Sequence, residues 1–347
     1  MQHNMMIINL KRFFVISSSI VLISLAFLMS ILFFPNINKN NKTTFLCISN
    51  QDKFDKILES LSNSTKNTST FSFKLLTKLS RYPEHIKPGR YQLKSNMSNF
   101  ELIRLLYSGK QTPVRLTFNN IRTKEQLASR LSKQIMADSA SINTLLNDTT
   151  FLRTYNLNNN TSPIIFLPNT YEVFWNIDAK QIFNRMYKEY NKFWTDERKT
   201  KAAEIPFSLA EVSILASIVE EETNKKSEKN IIAGLYINRL RKKMLLQADP
   251  TVKFAFGDFG LRRIRAEHLK TNSPYNTYKY LGLPPGPIRL ASAESIDAIL
   301  NYKKHDYIFM CAKETLNGEH NFSTSFSEHL RNARKYQRAL NKRKIFK

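Results

Sequence analysis

The stretch SIVEEETNKK, Ser217 to Lys226, sets three consecutive carboxylates, Glu220, Glu221 and Glu222, at the end of an apolar run. From Leu209 to Val219 almost every residue is apolar or small, the composition of a helix buried on all sides. Ser208 and Glu211, at the spacing of a capping box, mark where that helix starts. A helix C-terminus carries partial negative charge, so carboxylates are disfavoured there, and burial and like-charged neighbours act in the same direction. All three influences raise a carboxyl pKa. An acid kept protonated near neutral pH is what general acid catalysis requires. Successive residues of a helix point about 100° apart, so the three side chains face different ways. Glu220 continues the spacing Leu209, Val212/Ala216 beside the buried face and is the expected acid; Glu221 is expected to turn to solvent. Glu222 is left as a second carboxylate or a hydrogen-bonding support. The competing reading is a frayed, solvated helix end without a role.

Polar groups that could hold a substrate follow within about 70 residues. LLQADPTVKFAFGD reads as a turn around Pro250 that offers Gln247, Asp249 and Thr251, and TNSPYNTYKYLGLPPGPIR brings Tyr275, Asn276, Thr277 and Tyr278 before a stiff Pro-Pro-Gly-Pro loop. Rings stack on sugar faces and amides bond hydroxyls, so this succession suits a carbohydrate. Asp249 is a turn or cap residue before Pro250, and is also where a second catalytic carboxylate would be sought. His320, after the hairpin turn LNG, suits a structural or substrate-rim role. His268, His305 and His329 lack metal-ligand spacing, and two cysteines, Cys47 and Cys311, cannot build a four-ligand zinc site. No metal or cofactor is expected.

The elements around these residues divide the 347-residue chain. Residues 13–34, FFVISSSIVLISLAFLMSILFF, hold 22 residues without a charge; as a helix they span about 33 Å, the thickness of a hydrocarbon core. The run is longer than a signal-peptide core and no A-x-A-like site follows, so an uncleaved single-pass signal anchor is expected, with residues 1–12 as its flank. Lys11 and Arg12 precede it while Lys39 and Lys42 follow, so local charge leaves the orientation open. A polar linker is expected over 35–44, then a small α+β domain over 45–112. In that domain KPGRYQL turns into a strand, and SNFELIRLLYSGK is a helix boxed by Ser98 and Glu101 and stopped at Gly109. The rest, 113–347, is a larger α+β domain. Lys and Arg outnumber Asp and Glu by 53 to 28, for a net charge of +25, which suits an anionic partner or surface. No zinc-finger spacing or aromatic RNA-binding signature is present, so nucleic acid is not the expected partner.

The succession ASIVEEET, IAGLYINRLRKKMLLQADPTVKFAFGD, SPYNTYKYLGLPPGPI and HNFSTSFSEH, with FLPNTYEVFW upstream, resembles the YceG-like endolytic murein transglycosylases. The resemblance covers almost the whole chain and implies an N-terminal membrane anchor, a small LysM-like domain matched loosely through KPGRYQL and MSNFELIRLLYSGK, and an α+β catalytic domain. It further implies cleavage of the β-1,4 bond between N-acetylmuramic acid and N-acetylglucosamine within glycan strands, leaving a 1,6-anhydro-muramyl end. The catalytic glutamate of the family is expected at Glu220. Asn169 and Tyr171, the ADPT and YNTY stretches and Asn321 are expected to line the glycan groove. Peptidoglycan strands, the cytoplasmic membrane and peptidoglycan synthases are the partners implied, with the catalytic part on the extracytoplasmic side. Two rivals remain open at this point. One is a hydrolase of the same glycan with Asp249 or Glu222 as second carboxylate; the other is an anchored wall-binding module with structural glutamates. Charge alone would support a DNA-binding membrane protein.

Overall fold

The computed structural model describes residues 2–37, 44–65, 70–261 and 263–343, and the chain divides into two compact units. The first unit is Met1–Arg115 with Glu172–Ile177. It begins with α1 (Gln2–Phe33), whose stretch Lys11–Phe33 is long and apolar enough to cross a membrane and is a candidate anchor. From Phe13 to Phe33 most of its apolar side chains are exposed, and Ser17, Ser18 and Ser30 turn their hydroxyls back to helix carbonyls, which removes the polar cost of serine in an apolar setting.

After α1, Pro35–Ile37 forms β1 rather than linker: it pairs antiparallel with Met97–Ser98, because Ile37 is buried in the core of the unit. Most of the expected linker, 38–43 with Lys39 and Lys42, lies outside the described residues. The unit continues through β2 (Thr44–Ile48), α2 (Phe54–Ser64), α3 (Thr70–Leu79), β3 (Gly89–Leu93), β4 (Met97–Ser98) and α4 (Asn99–Ser108). Strands β2 and β3 pair antiparallel over their full length. Their alternate residues Leu46, Ile48, Tyr91 and Leu93 join Ile57, Leu61, Phe73 and Leu102 in the core. The Ser98–Glu101 capping box opens α4, and Gly109, left-handed at φ 69°, closes it.

The second unit, Leu116–Tyr171 with Asp178–Lys347, carries the carboxylates. The chain enters it on β5 (Val114–Phe118) and passes α5 (Lys124–Ser132), α6 (Ser139–Asn147) and α7 (Thr149–Arg153) to β6 (Asn169–Val173). Thr117 and Thr170 share a 2.8 Å hydroxyl hydrogen bond, and Phe118 stacks on Tyr171. Helices α8 (Ala179–Phe193) and α9 (Asp196–Ala203) lead to α10 (Leu209–Glu222), the helix that ends in the three glutamates. The Ser208–Glu211 capping box starts it, and every residue from Val212 to Val219 is buried. Against it lie α11 (Lys226–Arg241), α12 (Asp249–Phe256) and, beyond the short α13 (Ala266–Leu269), α14 (Ala293–Leu300). The hairpin β7 (Phe309–Ala312) and β8 (His320–Ser323) and the terminal helix α15 (Phe326–Lys342) complete the unit. Both cysteines are free thiols.

Candidate active site

The end of α10 fans its three carboxylates into three different surroundings. Glu220 meets α14: Ser292 Oγ donates to its Oε2 at 2.6 Å, Ser295 Oγ donates to the same oxygen, and Lys229 Nζ stands 3.3 Å away. Burial pushes the Glu220 carboxyl up, but the two hydroxyls, with Lys229 and Arg289 nearby, outweigh it and hold the group below its ordinary value. The sequence-based expectation of a raised pKa at Glu220 is therefore corrected: the donors come from a helix some 70 positions away and nothing in the local sequence announces them.

Glu221 does not turn to solvent. Its carboxylate is bridged by Arg122 at 2.9 Å and Arg289 at 3.0 Å, and its side chain retains 15% exposure. These two cations draw it back against the protein, so its role is to join the start of the α5 region and the segment after the proline loop to the end of α10.

Glu222 points the third way, into a cleft of about 320 Å³ that it shares with Tyr236, Gln247, Asp249, Tyr278 and His320. Tyr236, buried on α11, donates its hydroxyl to Glu222 Oε1 at 2.7 Å. Burial pushes the Glu222 carboxyl up to about 7; the Tyr236 hydrogen bond and Lys253 oppose the rise, while the charges of Asp249 and Glu221 add to it. Of the three carboxyls it is Glu222, not Glu220, whose pKa is raised toward neutrality.

Asp249 is the first residue of α12, with Pro250 behind it at a position where a missing N–H costs nothing. It makes no cap; its Oδ1 accepts the Tyr278 hydroxyl at 2.6 Å. Gln247 adopts a left-handed φ of 51° and its Oε1 accepts from Arg239 at 3.3 Å. Arg239 is buried on α11 and also donates to the carbonyls of Ile308, Leu245 and Leu246, which ties the wall of the cleft to its floor.

The other expected binding residues use their polar atoms inside the fold. Thr251 and Thr277 are buried, their hydroxyls 2.8 Å apart, with Thr277 also capping the Ala248 N–H. Asn276 is buried and donates to the carbonyls of Leu269 and Thr271 while its Oδ1 accepts from the Tyr278 N–H, so it orients Tyr278. Tyr275 packs on Phe254 with centroids 4.7 Å apart. Tyr171 is buried and donates to the Leu167 carbonyl; Asn169 is exposed and bonds its own neighbour, Thr170. Asn321 donates to Glu314 across the hairpin. Of the expected set the structure brings Glu222, Gln247, Asp249 and Tyr278 together at one cleft, and leaves Glu220, Asn169, Tyr171, Thr251, Tyr275, Asn276, Thr277 and Asn321 off its lining. Tyr236 and Arg239 were missed as cleft groups, while His320, read as a structural or substrate-rim residue, lies on the lining. A polar residue recurring on the apolar face of α11 is the signal that marks Tyr236 and Arg239. Among the described residues no group of three or more His, Cys, Asp or Glu could hold a metal ion.

A model of the YceG-like family matches residues 46–335. A relative named endolytic murein transglycosylase, from Bacillus subtilis, is 37% identical over 164 residues, 47% of this chain and 44% of that protein. One of the same name from Streptococcus pneumoniae is 36% identical over 126 residues, 35% of this chain and 23% of that protein. The chain thus spans less than half the length of these curated relatives in the matched region. A crystal structure of a yceG-like protein from Listeria monocytogenes superposes with a TM-score of 0.55 at 26% identity, covering 84% of this chain and 99% of that one.

Proposed function

This chain belongs to the YceG-like family, and from that premise and the geometry of its cleft we propose that it is an endolytic murein transglycosylase with Glu222 as its acid and base. The observation that carries this reading is a carboxyl raised to about 7, bonded by Tyr236 in a cleft lined with polar groups. Glu222 protonates the oxygen leaving C1 of N-acetylmuramic acid as the β-1,4 bond breaks. The carboxylate so formed takes the proton of the muramyl C6 hydroxyl, whose oxygen closes on C1 to give the 1,6-anhydro ring. Proton and electron pair both balance without water. The nucleophile already belongs to the substrate, so its effective concentration is high and no second carboxylate is needed. Tyr236 supports this cycle by stabilising the ionised form that exists between the two transfers.

Asp249, Gln247 and Tyr278 supply the polar contacts of the glycan groove in this reading, with Asn276, Thr277 and Thr251 holding the loop behind them. In the first unit, two antiparallel strands flank a pair of helices, β2–α2–α3–β3, an order that supports reading it as a LysM-like module for the same polymer. With α1 in the cytoplasmic membrane and the rest on its outer side, the enzyme would meet newly made strands and the synthases that extrude them.

Mass spectrometry of uncrosslinked strands after incubation with the full chain tests the proposal, alongside Glu222→Gln and Glu220→Gln. Anhydro-muramyl ends, about 18 Da lighter than hydrolytic ends by one water, are expected from the parent and from Glu220→Gln but not from Glu222→Gln. Reducing ends would replace this reading with a hydrolase using Asp249. Loss of activity in Glu220→Gln alone would return the acid to that position.

A further inference from the structure

Glu228 is a buried carboxylate that the chemistry above does not use. It lies in the first turn of α11 and is 6% exposed, a state charged side chains rarely adopt without partners. Both its oxygens go to one residue: the backbone N–H of His320 reaches Oε1 at 2.8 Å, and the ring Nδ1 of His320 lies 2.9 Å from Oε2. The backbone contact alone would tie the hairpin to α11, and it survives any side chain at position 320 except proline. The second contact does something different. It fixes the direction of the imidazole and its tautomer. A carboxylate can only accept, so Nδ1 carries the hydrogen and the neutral ring keeps its lone pair on Nε2.

That ring lines the same cleft as Glu222, Gln247, Asp249 and Tyr278. Its side chain keeps 17% of its surface open, and among the described residues Nε2 has no polar partner in the protein. Tyr236 and Tyr278 already direct their hydroxyls to Glu222 and Asp249. Nε2 is therefore an oriented acceptor left over for a ligand, and a sugar hydroxyl is the donor a glycan offers in abundance.

We propose that His320 is a substrate-positioning residue whose Nε2 accepts a hydrogen bond from a hydroxyl of the bound glycan, with Glu228 holding the ring in that orientation. The proposal rests on the reading of this cleft as the glycan site. His320 defines a second wall of the groove, opposite the carboxylates in chemistry as an acceptor that carries no negative charge.

The experiment is calorimetric titration of uncrosslinked glycan strands into the full chain in detergent, in a Glu222→Gln background that prevents turnover. His320→Asn places an amide where Nδ1 stood, so the bond to Glu228 is kept and only Nε2 is lost. One net hydrogen bond corresponds to about a three- to tenfold weakening, and that is the expected result with the thermal midpoint preserved. Glu228→Gln, which keeps His320 but can reverse its tautomer, should weaken binding comparably, and the double variant should be no weaker than His320→Asn alone. In the active background the same His320→Asn change should raise KM by the binding factor and leave kcat the less affected constant. Unchanged affinity in folded His320→Asn overturns the proposal while leaving the cleft a glycan site. Should His320→Asn not fold, unchanged affinity in Glu228→Gln overturns it in the same way. Failure of the parent background to bind strands at all overturns both the proposal and the reading on which it rests.

Discussion

Replacing Tyr236 by Phe removes one oxygen from the cleft and leaves the buried ring in place. That oxygen donates to Glu222 Oε1 at 2.7 Å and is the principal interaction opposing the upward push of burial on the carboxyl. A hydrogen bond to a charged acceptor contributes about 1.5–3 kcal/mol, part of which the neutral acid also enjoys. With 1.36 kcal/mol per pKa unit, the differential loss raises the Glu222 pKa by about one unit. The sign follows directly: the lost bond favoured the ionised form, so the acid form persists to higher pH. If cleavage requires protonated Glu222, the alkaline limb of kcat/KM, near 7 in the parent, moves up by about one unit in Tyr236→Phe. Below that limb the variant should also be slower, because the carboxylate formed after the first proton transfer has lost its stabiliser. Asp249→Asn supplies the opposite perturbation. Its negative charge raises the Glu222 pKa, so its removal should move the same limb down. The assay is quantified release of anhydro-ended muropeptides across a pH series through neutrality. An alkaline limb that stays put in both variants, or moves the same way in both, refutes the assignment of that limb to Glu222.

The raised carboxyl also carries a stability consequence. A group at about 7 in the folded state against 4.5 when unexposed to the fold holds stability that is fully present below about 4.5 and lost as pH rises through 7, about 3 kcal/mol in all. Glu222→Gln, inactive by the proposed mechanism, should therefore melt higher than the parent above neutral pH, and the difference should vanish near pH 4.5 in parallel thermal scans. Glu221→Ala leaves Arg122 and Arg289 part-buried without their shared carboxylate; a loss of about 1–3 kcal/mol in denaturant unfolding is expected, with turnover per folded molecule largely retained.

What the sequence disclosed about this region was its local order, and what it concealed was long-range. The capping boxes at Ser98–Glu101 and Ser208–Glu211, the Gly109 stop and the apolar body of α10 are local patterns, and each is found where its residues predict. The YNTY stretch reads as a run of residue types suited to sugar binding, but Asn276 and Thr277 are buried joints, because amide and hydroxyl side chains serve equally well to satisfy a tight loop. The choice among the glutamates depended on Ser292, Ser295, Arg289 and Arg122, distant in sequence and placed beside α10 only by the fold. Helical periodicity could say that the three side chains diverge; it could not say which direction held cations, which held hydroxyls and which held a cleft.

That division explains how a helix can end in three adjacent carboxylates. Without compensation, three like charges at the negative end of a helix dipole would destabilise it. Here the cations are shared unequally. Lys229 and Arg289 stand by Glu220 and hold its carboxyl down, while Arg122 and Arg289 bridge Glu221. Glu222 is bonded by a neutral phenol instead, with Asp249 and Lys253 acting on it in opposite directions. The arrangement thus separates the pKa values of chemically identical neighbours by geometry alone, holding one carboxylate down with two serines and a lysine while burial pushes another to about 7. Moving a cation from the first pair to the third residue would remove the acid without removing any carboxylate.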